Sequence, residues 1–236
     1  MKNDYEIAHK RVLITGGAKR LGAACAEKLA GCGAELVLHY NTSKKPAEEL
    51  AQKLEAAGTK VSLIQADLLN PAEVEGLIEK VNQYAGPVDI LLNNASIYPA
   101  STIQDMTEED LISNININAF SPLCISRKFA EQTENGVIIN FLDTRIAEYD
   151  RLHAAYHLSK RMFASLTRMC ALEFAPRIRV NGIAPGFIIP PEEKDESYFA
   201  QYHDRIPLRS HGRIKDITRT VQFLIESTFI TGEIIF

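Results

Sequence analysis

Val12-Leu13-Ile14-Thr15-Gly16-Gly17-Ala18-Lys19-Arg20-Leu21-Gly22 settles how this chain folds. Residues 12–15 form a short β-rich run and two glycines follow. Residues 21–30 then read as a helix, stopped by Gly31 and Gly33. A glycine turn between a strand and a helix lets backbone N–H groups approach a pyrophosphate, and the helix N-terminus adds partial positive charge. Gly16 and Gly22 alone are a common pattern. Their place after the first strand and at the head of a helix gives them meaning.

The alternation continues outward. Strands are predicted at residues 35–40, 61–65, 88–93, 136–142, 178–183 and 230–236. Helices are predicted at 46–57, 71–84, 152–174, 197–205 and 215–227. Residues 107–130 read as mostly helical, with a bend or break at Pro122. Apolar strands alternating with helices imply a parallel sheet covered on both faces. No Pro/Gly/Ser-rich linker or internal repeat interrupts the chain, so residues 1–236 are expected to form one doubly wound α/β domain. In such folds the ligand lies beyond the carboxyl ends of the strands.

Composition narrows the function classes. A hydrophobic fraction of 46% supplies a sizeable core. The net charge of −4 argues against a nucleic-acid partner, because a phosphate-tracking surface needs a basic surplus. The N-terminal MKNDYEIAHK lacks the apolar core of a secretory signal, and no apolar run reaches membrane-spanning length. A cytoplasmic protein without membrane contact is expected. Cys25, Cys32, Cys124 and Cys170 are scattered, with no metal-ligand spacing, so they read as reduced thiols and no metal is expected.

The strand at 35–40 bears on the cofactor. NAD sites often end this strand with a carboxylate for the ribose hydroxyls. Here it runs into Tyr40-Asn41-Thr42-Ser43, with no acid. Asn41, Thr42 and Ser43 can donate to a 2′-phosphate, and Lys19 and Arg20 bring positive charge to the phosphate loop. NADPH is therefore favoured over NADH. His39 reads as a packed strand residue. Further on, Tyr156 and Lys160 lie one helical turn apart and share a face. An ammonium beside a phenol stabilises the phenolate and lowers its pKa, which makes the pair a candidate general acid.

With these motifs together, the sequence resembles the short-chain dehydrogenase/reductase family over nearly its whole length. The resemblance rests on Thr15-Gly16 to Gly22, Asp67-Leu68, Asn93-Asn94-Ala95, Asn118, Tyr156-x-x-x-Lys160, and Asn181-Gly182-Ile183-Ala184-Pro185-Gly186. It implies a single Rossmann-like domain. It places Gly16, Leu21, Tyr40, Asp67, Leu68, Asn94, Ala95, Pro185, Gly186 and the Ile188 backbone around the cofactor. Lys160 would also bind the nicotinamide ribose, and Asn118, with Asn116 close by, would help hold a water-linked proton relay. A homotetramer is implied, with the helix at 152–174 in an interface. The family also implies an Asp-Gly-Gly segment and a tail near Thr231-Gly232, which the residues to Phe236 do not show.

Two departures carry information. Arg20 replaces the middle glycine of the loop, and Asp143 replaces the usual serine thirteen residues before the tyrosine. An ionised aspartate cannot donate to a ketone oxygen; it suits a substrate with N–H donors. Both departures resemble the pteridine reductase branch, which includes dihydromonapterin reductases. By that resemblance Tyr98 stacks on a pterin, Ser96 and Arg20 contact cofactor and pterin, and Asp143 and Tyr156 meet its donor edge. The expected reaction is reduction of a dihydropterin C=N bond. The alternatives are a 3-oxoacyl or other carbonyl reductase, and a non-catalytic NADPH-sensing protein. The segment near 187–212, with an acidic run at 190–197, is expected to cover the substrate.

Overall fold

The computed structural model describes residues 5–149, 151–190 and 194–236. Among them, seven strands form one sheet: β1 (Arg11–Ile14), β2 (Glu35–Tyr40), β3 (Val61–Gln65), β4 (Ile90–Asn93), β5 (Gly136–Phe141), β6 (Ile178–Ile183) and β7 (Ile234–Ile235). The order is β3-β2-β1-β4-β5-β6-β7, and every pairing is parallel. Helices α1 (Arg20–Ala30), α2 (Lys44–Ala56), α3 (Pro71–Ala85), α4 (Glu108–Ile115), α5 (Ser121–Gln132), α6 (Ala154–Glu173) and α7 (Ile214–Glu226) cover it.

Side chains on a strand alternate between faces, so an unbroken apolar strand feeds two cores. Val12, Ile14, Leu36, Leu38, Val137 and Ile139 join the apolar faces of α1, α2 and α7. Leu13, Val37 and Ile138, in between, join those of α3, α5 and α6. The chain runs outward from β1 to β3, then returns past β1 to β4. The loops after β1 and β4 therefore part in opposite directions, and a crevice opens between them.

The predicted helix at 107–130 is interrupted, and the interruption lies before Pro122. A π-helical turn, Asn116–Phe120, separates α4 from α5, with the Ser121 N–H donating to the Asn116 carbonyl. Proline has no N–H for the carbonyl four residues back, so the extra residue of the π turn is placed where the α ladder would lose a bond. Helix α2 starts two residues earlier than predicted. Pro46 sits in its first turn, where the N–H groups have no partner inside the helix. The predicted helix at 197–205 is a 3-10 helix, Glu196–Arg205. The last strand shrinks to Ile234–Ile235. The four cysteines are reduced; Cys25, Cys124 and Cys170 are buried and Cys32 is half-buried.

Candidate active site

The loop after β1 is laced to the end of β4. The Thr15 hydroxyl accepts the Asn94 N–H at 3.0 Å and the Ala95 N–H at 3.1 Å. The Asn94 side-chain amide donates to the carbonyls of Thr15 and Gly16, both at 3.0 Å. Asn94 thus shapes the loop it was expected to share with a cofactor. Gly16 has a φ of 61°, which favours glycine. A Cβ on Gly22 would lie 2.3 Å from the Gly16 carbonyl oxygen and 2.7 Å from Asn94 Nδ2. Only glycine lets α1 begin this close to the loop. Arg20 has a φ of 52°, in the left-handed region that glycine adopts most readily. Its guanidinium donates to the carbonyls of Pro190 at 2.9 Å and Ile189 at 3.4 Å. The phosphate loop and the chain after β6 are bridged in this way. Lys19 is exposed and Leu21 packs partly against the core.

At the end of β2, Tyr40 is half-buried and Asn41 and Thr42 are exposed. Asn41 Nδ2 donates to Asp67 Oδ1 at 3.3 Å, and the Leu69 N–H donates to the same oxygen at 2.9 Å. Leu68 is buried, and its carbonyl accepts the Ser121 hydroxyl at 2.7 Å. Because α2 begins at Lys44, residues 41–43 sit at the N-terminus of a 13-residue helix, with Ser43 as the capping residue. The helix end adds N–H donors and partial positive charge for a phosphate. These residues fit a 2′-phosphorylated dinucleotide.

The centre of the site is on α6. Helical spacing puts Tyr156 and Lys160 on one face. Both are buried. Lys160 Nζ donates to the Phe141 carbonyl, at the end of β5, at 2.7 Å. The Tyr156 hydroxyl donates to Asp143 Oδ2 at 2.9 Å. Asp143 Oδ1 accepts the Arg145 N–H at 2.8 Å, so the same carboxylate caps the short 3-10 turn Thr144–Ile146.

Burial pushes the Asp143 carboxyl up, against the pull of the Arg145 N–H, Tyr156, Lys160 and His157. Burial also pushes the Tyr156 phenol well above its ordinary value, and the charge and hydrogen bond of Asp143 push the same way. This reverses the expectation that Lys160 makes the phenol more acidic. Lys160 Nζ is 5.7 Å from the Tyr156 ring centroid and is bonded to a carbonyl, whereas Asp143 touches the phenolic oxygen.

Burial pushes the Lys160 ammonium down to about 8, with Asp143 opposing. Between that value and the free lysine value near 10.4, the unfolded chain holds the extra proton. Stability therefore rises with pH across that window and carries the full penalty below it. Relative to Lys160→Met, the wild-type chain should gain on the order of 3 kcal/mol between about pH 8 and 10.5. Urea midpoints at matched m-values measure this. Parallel pH profiles of the two proteins would show that Lys160 is not depressed.

Asn118 is brought to the site by the π turn, but its side chain serves the scaffold. Its Oδ1 accepts the Ser96 hydroxyl and the Ile97 N–H, both at 2.9 Å. Its Nδ2 donates to the Ile97 carbonyl at 3.1 Å, to Ser159 Oγ at 3.0 Å and to Asn114 Oδ1 at 3.3 Å. The loop after β4 is thereby pinned to α6. Tyr98 stands edge-on to Tyr156, with ring centroids 4.5 Å apart, and stacks on His153 at 3.8 Å. Its hydroxyl accepts from the Arg145 guanidinium. His153 and Arg145 were not singled out from sequence as site residues. Only the fold sets them against Tyr98.

After β6, the Pro185 carbonyl accepts the Thr144 N–H at 3.2 Å, and Gly186 faces Thr144 without crowding. Ile188 is half-buried against the core. Phe187 stacks on Tyr202 at 4.6 Å, and its carbonyl accepts the Gly212 N–H at 3.0 Å. The two ends of the segment at 187–212 are thus joined through residue 187. Of the acidic run at 190–197, residues 191–193 lie outside the described residues. A cavity of about 340 Å³ lies between residues 188–190 and 211–215. Among the described residues, no His/Cys/Asp/Glu cluster could hold a metal, and no helix is long and apolar enough to cross a membrane.

A family model described as enoyl-(acyl carrier protein) reductase matches residues 16–236. The 3-oxoacyl-[acyl-carrier-protein] reductase FabG of Staphylococcus epidermidis is 32% identical, over 96% of this chain and 96% of the relative. The chain belongs to the short-chain dehydrogenase/reductase family. Among solved structures of the family, FolM alternative dihydrofolate reductase 1 from Brucella suis, in complex with NADP, is 31% identical. It superposes with a TM-score of 0.91, covering 97% of this chain and 93% of that one. A blue fluorescent protein from a metagenomic library, in complex with NADPH, is 30% identical with a TM-score of 0.89, covering 98% and 96%. The chain is accordingly a single-domain oxidoreductase of this family, in which Tyr156 and Asp143 are hydrogen-bonded and Lys160 lies one turn further along α6.

Proposed function

We propose that this chain is an NADPH-dependent dihydropterin reductase, converting a dihydropterin C=N bond to CH–NH. The observation that carries the reading is the 2.9 Å bond between the Tyr156 hydroxyl and Asp143, a carboxylate at the place of the family's serine. The cofactor reading draws on the crowded Gly16–Gly22 loop, the Arg20 guanidinium, the α2 N-terminus at residues 41–43, and the NADP and NADPH bound by the solved relatives.

Bound NADPH supplies the hydride that C6 of the pterin receives. The protein's residues manage the proton that N5 needs. Tyr156 is kept protonated by burial and by Asp143, so the hydroxyl is a donor at neutral pH. Asp143 accepts from the pterin's N–H groups and orients the ring. Lys160 holds its positive charge against the negative charge left when the hydroxyl proton departs. Asn118, whose side chain is committed to the scaffold, acts in the relay through its backbone carbonyl, which Pro122 has no N–H to meet. Tyr98 and Ser96 line the ring, and Tyr98 closes on the pterin face by turning from His153. Asp67, Leu68, Ala95, Pro185, Gly186 and Ile188 surround the cofactor.

We also assign a cytoplasmic homotetramer, with α6 in an interface. Met169 and Leu172 on this helix are 62% and 83% exposed, an apolar face that a second copy would cover. A second substrate reading, reduction of a 3-oxoacyl thioester, draws on the 32% identity to FabG.

NADPH oxidation with 7,8-dihydrobiopterin or dihydromonapterin, run beside a 3-oxoacyl substrate and beside NADH, separates the readings. Turnover of a pterin with NADPH is expected. Turnover of the 3-oxoacyl compound alone would replace this reading with the second.

A further inference from the structure

We propose that His39 is a positioning residue of the phosphate loop: as a neutral imidazole it fixes the Gly16 N–H and thereby sets affinity for the cofactor. The inference rests on the NADPH reading above. His39 lies on β2 among apolar neighbours and is 2% exposed. A polar ring placed there costs stability unless both nitrogens are partnered. Both are. The Gly16 N–H donates to Nδ1 at 3.1 Å, and Nε2 lies 3.0 Å from the Ala66 carbonyl oxygen.

The partners determine the tautomer. An amide N–H only donates, so Nδ1 is bare. A carbonyl only accepts, so Nε2 carries the hydrogen. A protonated ring could not accept from Gly16. Burial, with Lys80, pushes the imidazole down to about 4, while the Ala66 carbonyl, Asp67 and Glu73 pull the other way.

The same residue's carbonyl accepts the Gly17 N–H at 3.0 Å. His39 therefore holds two consecutive loop amides, one with its ring and one with its backbone. Through Ala66 it also ties the loop to the residue before Asp67, which is expected beside the cofactor. The ends of β1, β2 and β3 are joined by one side chain. Gly16 has a positive φ and no side chain to hold it, so it is a point where the loop would otherwise relax.

The test separates the two ring bonds. Asparagine places an acceptor where Nδ1 lies, so His39→Asn keeps the bond from Gly16. Glutamine places a donor where Nε2 lies, so His39→Gln keeps the bond to Ala66. Each variant loses one buried bond, and the two should unfold at similar urea concentrations. NADPH dissociation constants are read by nicotinamide fluorescence. His39→Asn should stay within about threefold of wild type and His39→Gln should weaken by about tenfold or more, with kcat at saturating NADPH changed less than about threefold.

Equal dissociation constants for the two variants, or values that simply follow the unfolding midpoints, would overturn the proposal. If the variants do not fold, ¹⁵N spectra of the wild-type imidazole decide. An Nε2–H tautomer without titration from about pH 5 to 8 is expected; an Nδ1–H or doubly protonated ring overturns it. Wild-type protein that binds no NADPH would refute the cofactor reading itself, whichever tautomer the spectra show.

Discussion

Tyr156→Phe should lower turnover by about 10²- to 10⁴-fold, the range of a positioned general acid, while NADPH affinity stays within about threefold. Phenylalanine keeps the ring that packs edge-on to Tyr98 and removes only the hydroxyl bonded to Asp143. The variant should therefore fold and bind cofactor. Single-turnover measurement with prebound NADPH isolates the chemical step. A loss below about tenfold would mean that another group delivers the proton. The candidate would then be Asp143 itself, because burial raises its carboxyl toward protonation.

Asp143→Ser should exchange the substrate class. A carboxylate facing a developing oxyanion is unfavourable: two like charges about 4 Å apart repel by about 4 kcal/mol at an effective dielectric of 20. One hydrogen bond, worth about 1 kcal/mol, does not offset that. Wild-type Asp143 should thus exclude 3-oxoacyl substrates and favour a ring with N–H donors. In the serine variant, dihydropterin turnover should fall by about 10²-fold or more and 3-oxoacyl turnover should rise above the wild-type level. NADPH affinity should be unchanged. Asp143→Ala should lose the pterin activity and gain nothing. Equal loss of substrate turnover and cofactor binding in either variant would assign Asp143 to the scaffold, through its cap on Arg145, and remove it from the chemistry.

The architecture was legible in the sequence because its signals are local. Apolar runs bounded by glycine, at residues 12–15 and 35–40, place strands without reference to the rest of the chain. Gly22 was legible too, since a glycine at a helix start has few other uses. The candidate catalytic pair was legible because α6 alone brings Tyr156 and Lys160 to one face. Asp143 was found by its register with Tyr156, and the fold then supplied the 2.9 Å contact.

Other features depend on the chain returning to itself. The sign of the Tyr156 shift follows from burial and from a carboxylate held by a neighbouring strand end, neither of which spacing can express. The structural use of Asn118 needs Ser96, Ile97, Asn114 and Ser159 around it; three of these, Ser96, Ile97 and Ser159, come from other segments, and Asn114 comes from the helix broken by the π turn. His39 reads in sequence as one more buried strand residue. Its work appears only when parallel pairing sets β2 between β1 and β3, so that a single imidazole reaches Gly16 on one side and Ala66 on the other. The sequence by itself thus determined the main elements, their order and the candidate reacting groups. The tertiary structure decided which polar groups hold those reacting groups in place and in what protonation state, because desolvation and hydrogen bonding arise between segments far apart in the chain.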